Sequence, residues 1–182
     1  PAEMQIRLEE ARASGRKFLR IALIDKGGTV IAYSPPVDEL GRDNIGKNFA
    51  DRPYIPLLKQ GVKPMLSEVM LSRSGRTEPI AIMLAPVVSR GQYNGAVGGI
   101  MNFDRINTIL RINLAGESTH YTLLDKNGNV ILTNRNAQKA MAPFSRGKGT
   151  IRQINEILSQ WIPELPPNIS TIELWGRSPY VA

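Results

Sequence analysis

The stretch Leu23–Ile31, LIDKGGTVI, returns one hundred residues later as Leu123–Ile131, LLDKNGNVI. Both copies carry Leu, Asp, Lys, Gly, Val and Ile at the same places. Each reads as a hairpin: an apolar strand runs into an Asp, a Lys-Gly-Gly-Thr or Lys-Asn-Gly-Asn tip turns the chain, and a Val-Ile strand returns. Gly and Asn supply the positive φ angles that a tight turn needs. A chain that spells one hairpin twice, with similar flanks, points to two related modules in tandem, each built on an antiparallel sheet.

The rest of the composition agrees with many short elements joined by turns. Of 16 Gly and 13 Pro, several fall in pairs: Gly27-Gly28, Pro35-Pro36, Gly98-Gly99 and Pro166-Pro167. That punctuation disfavours a helical bundle. Cysteine is absent, which excludes disulfides, thiolate metal sites and a cysteine nucleophile, and fits an extracytoplasmic setting. The net charge is +7, yet Lys and Arg are spread without a dense run and no aromatic pairs interleave with them to stack bases. A solvated basic surface is expected, with no nucleic-acid partner. The longest mostly apolar run, Pro79–Val88, is too short to span a bilayer. The chain begins at Pro1 without a Met, which reads either as a soluble protein lacking its first residue or as a soluble piece of something longer.

Along the chain, Met4, Leu8 and Ala11 keep helical spacing before Gly15, which predicts a short amphipathic helix able to pack on its own domain or on a second copy. Strands FLRIALID and TVIAYS follow. Asp51 is the expected N-cap of a short helix carrying Tyr54, Leu57 and Leu58, with Pro56 shortening or kinking it and Gly61 ending it. PMLSEVMLSR, EPIAIMLAPVVS and GAVGGIMNF read as three antiparallel strands joined by the loops SGRT and RGQYN, and DRINTILRI as a linker helix. After the second hairpin, GTIRQINEILSQWI places Ile151, Ile154, Ile157, Leu158 and Trp161 at helical spacing, and STIELWGRSPYVA reads as one strand. The expected class is α+β, with an N-terminal helix over residues 1–17, a first module over 18–112 and a second over 113–182. A copy of the first module would need further closing strands, so the second is expected to be truncated.

Two strands, a helical insertion and three more strands is the order of PAS-like sensor modules. NIGKNFADRPYIPLLKQGVKPMLSEVMLSRSGRTEPIAIMLAPVV, followed by GAVGGIMNFDRI, closely resembles the membrane-distal half of double Cache sensor domains. These are the tandem PAS-like extracytoplasmic domains of bacterial and archaeal histidine kinases, chemoreceptors and diguanylate cyclases. The resemblance covers Phe18 to Ile109, and the second module only through its hairpin. It rests on F-x-D-R-x-Y at Phe49–Tyr54, S-E-V at Ser67–Val69 and G-x-V-G…D from Gly95 to Asp104.

What the resemblance implies is a ligand-sensing input domain, the periplasmic part of an inner-membrane receptor, whose distal module binds a small molecule and signals through helices. Carried over by position, the pocket helix offers Arg52, a guanidinium suited to gripping a carboxylate, and Tyr54. Taken alone, Arg52 reads equally as a surface ion pair and Tyr54 as a core aromatic. Alternation along the closing strand puts Gly98, Ile100 and Asn102 on one face. Ser67 and Met83 complete the expected ligand set, although core packing is the default for the strand methionines Met65, Met70, Met83 and Met101. Family members that bind amino acids carry an Asp where this chain has Ile100, and a Trp-Tyr pair where it has Tyr54-Ile55. An ammonium group without a carboxylate partner is costly in a closed pocket. A carboxylate-type metabolite is therefore expected rather than a free amino acid, with no cofactor and at most a weak homodimer through the N-terminal helix.

Catalytic and metal constellations are not found in the sequence. His120 is the only histidine and has no G-x-S-x-G partner motif. RGKGT has Gly149 where a phosphate loop needs Ser or Thr, and DKNGN has its Gly too early for a calcium loop and no closing Glu. An enzyme is not expected. The alternative to a sensor is a ligand-free PAS-like spacer, in which the would-be pocket is filled by its own side chains.

Overall fold

The two hairpins close in the same way. In the structure, a computed structural model describing residues 2–14, 17–113, 121–144, 149–153, 158–163 and 173–176, the carboxylate of Asp25 accepts hydrogen bonds from the N–H of Gly27 and of Thr29, both 2.8 Å. Asp125 accepts from Asn127 and Asn129, both 2.9 Å. Gly28 and Gly128 take φ of 87° and 80°, the left-handed region that a residue with a Cβ enters at a cost. The likeness runs past the nine shared residues. Val30 N–H donates to Lys47 and Phe49 N–H to Gly28, while Val130 donates to Ala142 and Phe144 to Gly128. Met141, at φ 69°, stands where the first copy has Gly46 at φ 84°.

Around the first hairpin the chain builds one antiparallel sheet. Strands β1 (Phe18–Asp25) and β2 (Val30–Ser34) form the hairpin. Helix α2 (Tyr54–Gly61) is followed by β3 (Met65–Leu66), β4 (Met70–Leu71), β5 (Pro79–Ile80), β6 (Ile82–Ser89) and β7 (Gln92–Met101). The five-stranded sheet has the order β2-β1-β7-β6-β3, with β4 and β5 paired apart from it. This is the two-strand, insertion, three-strand plan expected of a PAS-like module. Alternation sorts the two faces. Ile24, Ile82, Leu84, Ala96 and Ile100 join Tyr54, Ile55 and Leu58 of α2 in the front core. On the back, Ile21 and Ala32 pack against Leu8 of α1 (Ala2–Ala13).

Leu8 is only 7% exposed, so it is spent on its own sheet, while Met4 and Ile6 of the same helix face solvent. Gln5 locks α1 to the edge strand: its Nε2 donates to the Tyr33 carbonyl, 2.6 Å, and its Oε1 accepts from the Tyr33 N–H, 3.1 Å. The Met4, Leu8 and Ala11 stripe is therefore not an intact dimer face, because the stripe's central residue is turned inward.

Several elements differ from the sequence expectation. Asp51 does not cap α2; the N-cap is Pro53, and the chain is already turning through Arg52 N–H to Phe49 and Ile55 N–H to Arg52. Pro56 neither kinks nor shortens the helix, since it is the third residue, where a backbone N–H would have no intrahelical acceptor. PMLSEVMLSR splits into β3 and β4, and EPIAIMLAPVVS into β5 and β6. The splits fall at Ser67–Val69 and at Ala81, where the second module docks. The expected helix over GTIRQINEILSQWI is instead β10 (Gly149–Gln153) paired with β11 (Leu158–Pro163), Ile151 opposite Trp161. Its β-branched residues favour strand, and pairing of β11 with β12 (Glu173–Gly176) decides over an apolar spacing that suits a helix. Ile154, Ile157 and His120 lie outside the described residues.

Helix α3 (Phe103–Asn113) leads to β8 (Thr122–Leu124) and β9 (Val130–Thr133), the second hairpin. Its Ile131, with Leu123 and Leu132, packs against Val69 and Ala81 of the first module. Asp125 Oδ2 accepts the Val69 N–H at 3.1 Å, and Lys126 pairs with Glu68 at 3.1 Å.

Candidate ligand-binding pocket

Between α2 and the front of the sheet lies a small cavity, partly open to solvent. Its floor comes from alternate residues of three strands: Ala22 and Ile24 of β1, Ile82 and Leu84 of β6, Gly98 and Ile100 of β7. A Cβ on Gly98 would stand 3.1 Å from Leu84 Cδ2 and 3.3 Å from Ile82 Cγ2, so glycine keeps the floor low. Phe49, Arg52, Tyr54, Tyr33, Arg73, Ser74, Ile80 and Arg20 complete the lining. No carboxylate residue is among these lining residues.

The three arginines differ in how their charge is met. Arg20, only 4% exposed, pairs through Nη2 with Glu78 at 3.0 Å and Glu39 at 3.5 Å, and its Nη1 donates to the Ser74 carbonyl. Arg73 faces Asp51 in a two-bond fork, Nη1 to Oδ1 2.9 Å and Nη2 to Oδ2 2.6 Å. That fork holds the Asp51 carboxyl below its ordinary range. Arg52 donates from Nη2 to the Leu71 carbonyl, 2.9 Å, and has no carboxylate within ion-pair distance among the described residues. Burial, then the neighbouring Arg73 charge, lowers its pKa, and it stays a cation. Burial pushes the Tyr54 phenol up to about 12, so at neutral pH it is a protonated donor. The Tyr33 hydroxyl, also raised by burial, donates to Ser74 Oγ, 3.0 Å. A half-enclosed apolar cavity with one guanidinium that has no direct ion pair among the described residues, and the Tyr54 phenol, can take a small anion with an apolar body.

Of the six residues expected from sequence, Arg52, Tyr54 and Ile100 line this cavity and three do not. Ser67 is buried at the β3–β4 break, where its Oγ accepts the Ile82 N–H, 2.9 Å, and completes the sheet ladder. Met83 is 49% exposed, because period-two alternation sends it to the back of the sheet when Ile82 and Leu84 face forward. Asn102 falls after β7 has ended; its Oδ1 accepts the Arg105 N–H, 3.1 Å, and caps α3. Arg20, Tyr33, Phe49, Arg73 and Ser74 were not anticipated. A charge inside the apolar strand FLRIALID marks Arg20 in the sequence, whereas Arg73 and Ser74 sit in a stretch that reads only as a loop.

No protein-family model matches the chain, and no curated protein resembles it in sequence. Its fold does have solved counterparts. An extracellular ligand-binding receptor from Desulfohalobium retbaense superposes with a TM-score of 0.64 at 16% identity, over 90% of this chain and 31% of that one. The sensor domain of the V. cholerae histidine kinase DctB matches with a TM-score of 0.57 at 19% identity, over 95% of this chain and 71% of that one. The ligand-binding domain of the Pseudomonas aeruginosa amino acid chemoreceptor PctB, in complex with L-Arg, gives 0.59 at 20% identity, over 90% and 62%. The chain thus spans about a third of the first of these and some two thirds of the others. Its α+β fold is that of Cache-type extracellular sensor domains.

Proposed function

We propose that this chain is the extracytoplasmic ligand-sensing input domain of a membrane-anchored signalling receptor, and that its first module binds a small carboxylate. The observation that supports the reading is Arg52, a cation without an ion-pair partner among the described residues, on the wall of an apolar cavity whose lining holds no acidic residue. An amino acid or amine would bring an ammonium group into that cavity with no carboxylate there to receive it. A carboxylate instead meets the Arg52 fork and the Tyr54 hydroxyl, with its apolar part against Ile100 and the bare backbone of Gly98. Among the described residues no group of His, Asp or Glu could hold a metal ion, and no helix is long and apolar enough to cross a membrane. Signalling proceeds through α3 into the second module, and any pairing of receptors through α1 uses its outer residues Met4 and Ile6.

A thermal-shift screen of the 182-residue chain tests this. A carboxylate of two to five carbons at about a hundred times its Kd stabilises by about 2.7 kcal/mol, a rise of roughly 5–10 °C in melting temperature. Matched amines and amides should give no shift. Shifts with amines alone would contradict the carboxylate assignment, and no shift with any class would favour a ligand-free spacer.

A further inference from the structure

Arg73 lines the same cavity as Arg52, yet it already holds a carboxylate. Asp51 occupies its fork with two parallel bonds of 2.9 and 2.6 Å, the arrangement in which a guanidinium holds any free carboxylate. The pair sits at the solvent side of the pocket, with side chains 49% and 60% exposed, so water competes for both partners and the bond is cheap to exchange. Asp51 precedes Arg52 in the chain and joins a rim loop to the bend at Arg73, 22 residues on. Arg52 and Arg73 are near enough to repel, and within this cluster only Asp51 offsets them.

We infer that Arg73 is a second anion-binding residue of the pocket, masked by Asp51, and that a ligand's carboxylate takes Asp51's place when it binds. This rests on the carboxylate-sensing reading above. On binding, the two Arg73–Asp51 hydrogen bonds give way to bonds from Arg73 to the ligand, and Asp51 turns to water. Affinity is then set by competition: Asp51 acts as a built-in rival that raises the threshold at which the receptor responds. It also favours ligands whose anionic group, or pair of groups, can reach Arg52 and Arg73 together.

The inference predicts effects of opposite sign for two partners in one ion pair. Acetate, propionate, lactate and succinate are titrated calorimetrically, at low ionic strength, into the wild-type chain and into Asp51→Asn, Arg73→Gln, Arg73→Lys and the Asp51→Asn/Arg73→Gln double variant. Melting temperatures of the unliganded proteins confirm folding. Asp51→Asn should tighten the best-bound probe about two- to fivefold, the worth of one exposed ion pair. Arg73→Gln should weaken it about tenfold or more, Arg73→Lys should fall between because it keeps the charge but not the fork, and the double variant should lose the gain. If Asp51→Asn and Arg73→Gln weaken binding alike, or leave it unchanged, the pair is only a clamp between two loops and the inference fails while carboxylate sensing stands. If no probe binds any variant, carboxylate sensing fails and this inference falls with it.

Discussion

Arg52 is the residue on which the site turns. It is tolerated without a direct ion pair because the cavity is part open, the Leu71 carbonyl accepts one of its hydrogen bonds and the Asp51 charge lies nearby. Replacing it with Gln leaves a bound carboxylate without its charge-assisted partner, a loss of about 2–5 kcal/mol in binding. Arg52→Gln should therefore abolish measurable carboxylate binding in calorimetry while the melting temperature of the unliganded chain stays nearly unchanged. Ile100→Asp should weaken carboxylates further by placing a like charge on the floor, and should open a measurable affinity for amines. Amine binding unchanged from wild type in Ile100→Asp would show that this position does not face the ligand. Arg52, Tyr54 and Ile100 were legible because an ordered motif fixes their places just before α2, at its start and on β7. Arg20 and Arg73 were not, since what brings them to the cavity is the fold of a bend and a strand face, which local spacing does not encode. Met83 and Asn102 miss the cavity for a simpler reason: period-two alternation turns Met83 to the back of the sheet, and β7 ends before Asn102.

At the scale of elements, α2 ends on a conformation that its sequence does not suit. Val62 stands at φ 45°, ψ 37°, its N–H returning to the Leu58 carbonyl at 3.0 Å. A β-branched residue in the left-handed region is strained, and glycine is the residue helices commonly use there. Val62→Gly should raise stability by about 1 kcal/mol and the melting temperature by roughly 2–4 °C. A fall in melting temperature would mean that the valine side chain contributes more by packing than its backbone costs. The hairpins, α2, α3 and the long strands were readable from turn residues and period. The splits of β3 from β4 and β5 from β6 were not, because they fall where Val69 and Ala81 meet Ile131 and Asp125, a contact that local spacing does not encode. The β10–β11 hairpin was misread as a helix, since a short apolar set can satisfy either period and strand pairing decides between them.

For the whole molecule, the repeated Asp does two different jobs. Asp25 serves its own turn, whereas Asp125 serves its turn and also takes the Val69 N–H of the first module. Asp125→Ala should thus cost about 1 kcal/mol more than Asp25→Ala in chemical denaturation, the worth of one further buried acceptor. Equal losses would show that the junction bond contributes nothing. Val69 lies two residues from Leu71, whose carbonyl receives Arg52, so the segment that meets the second module leads directly into β4 at the proposed anion site. The tandem plan itself was legible from the doubled hairpin, but its docking was not, because LLDKNGNVI gives no sign that its Asp has a second partner.

The most direct measurement is a crystal structure of the chain with the carboxylate that stabilises it most. The carboxylate is predicted to lie within about 3 Å of the Arg52 guanidinium, a hydrogen-bonding distance, with its apolar part on Ile100 and Gly98. A ligand seated in the second module, or one held in this cavity by an ammonium group with Arg52 still bound only to Leu71, would contradict the assignment.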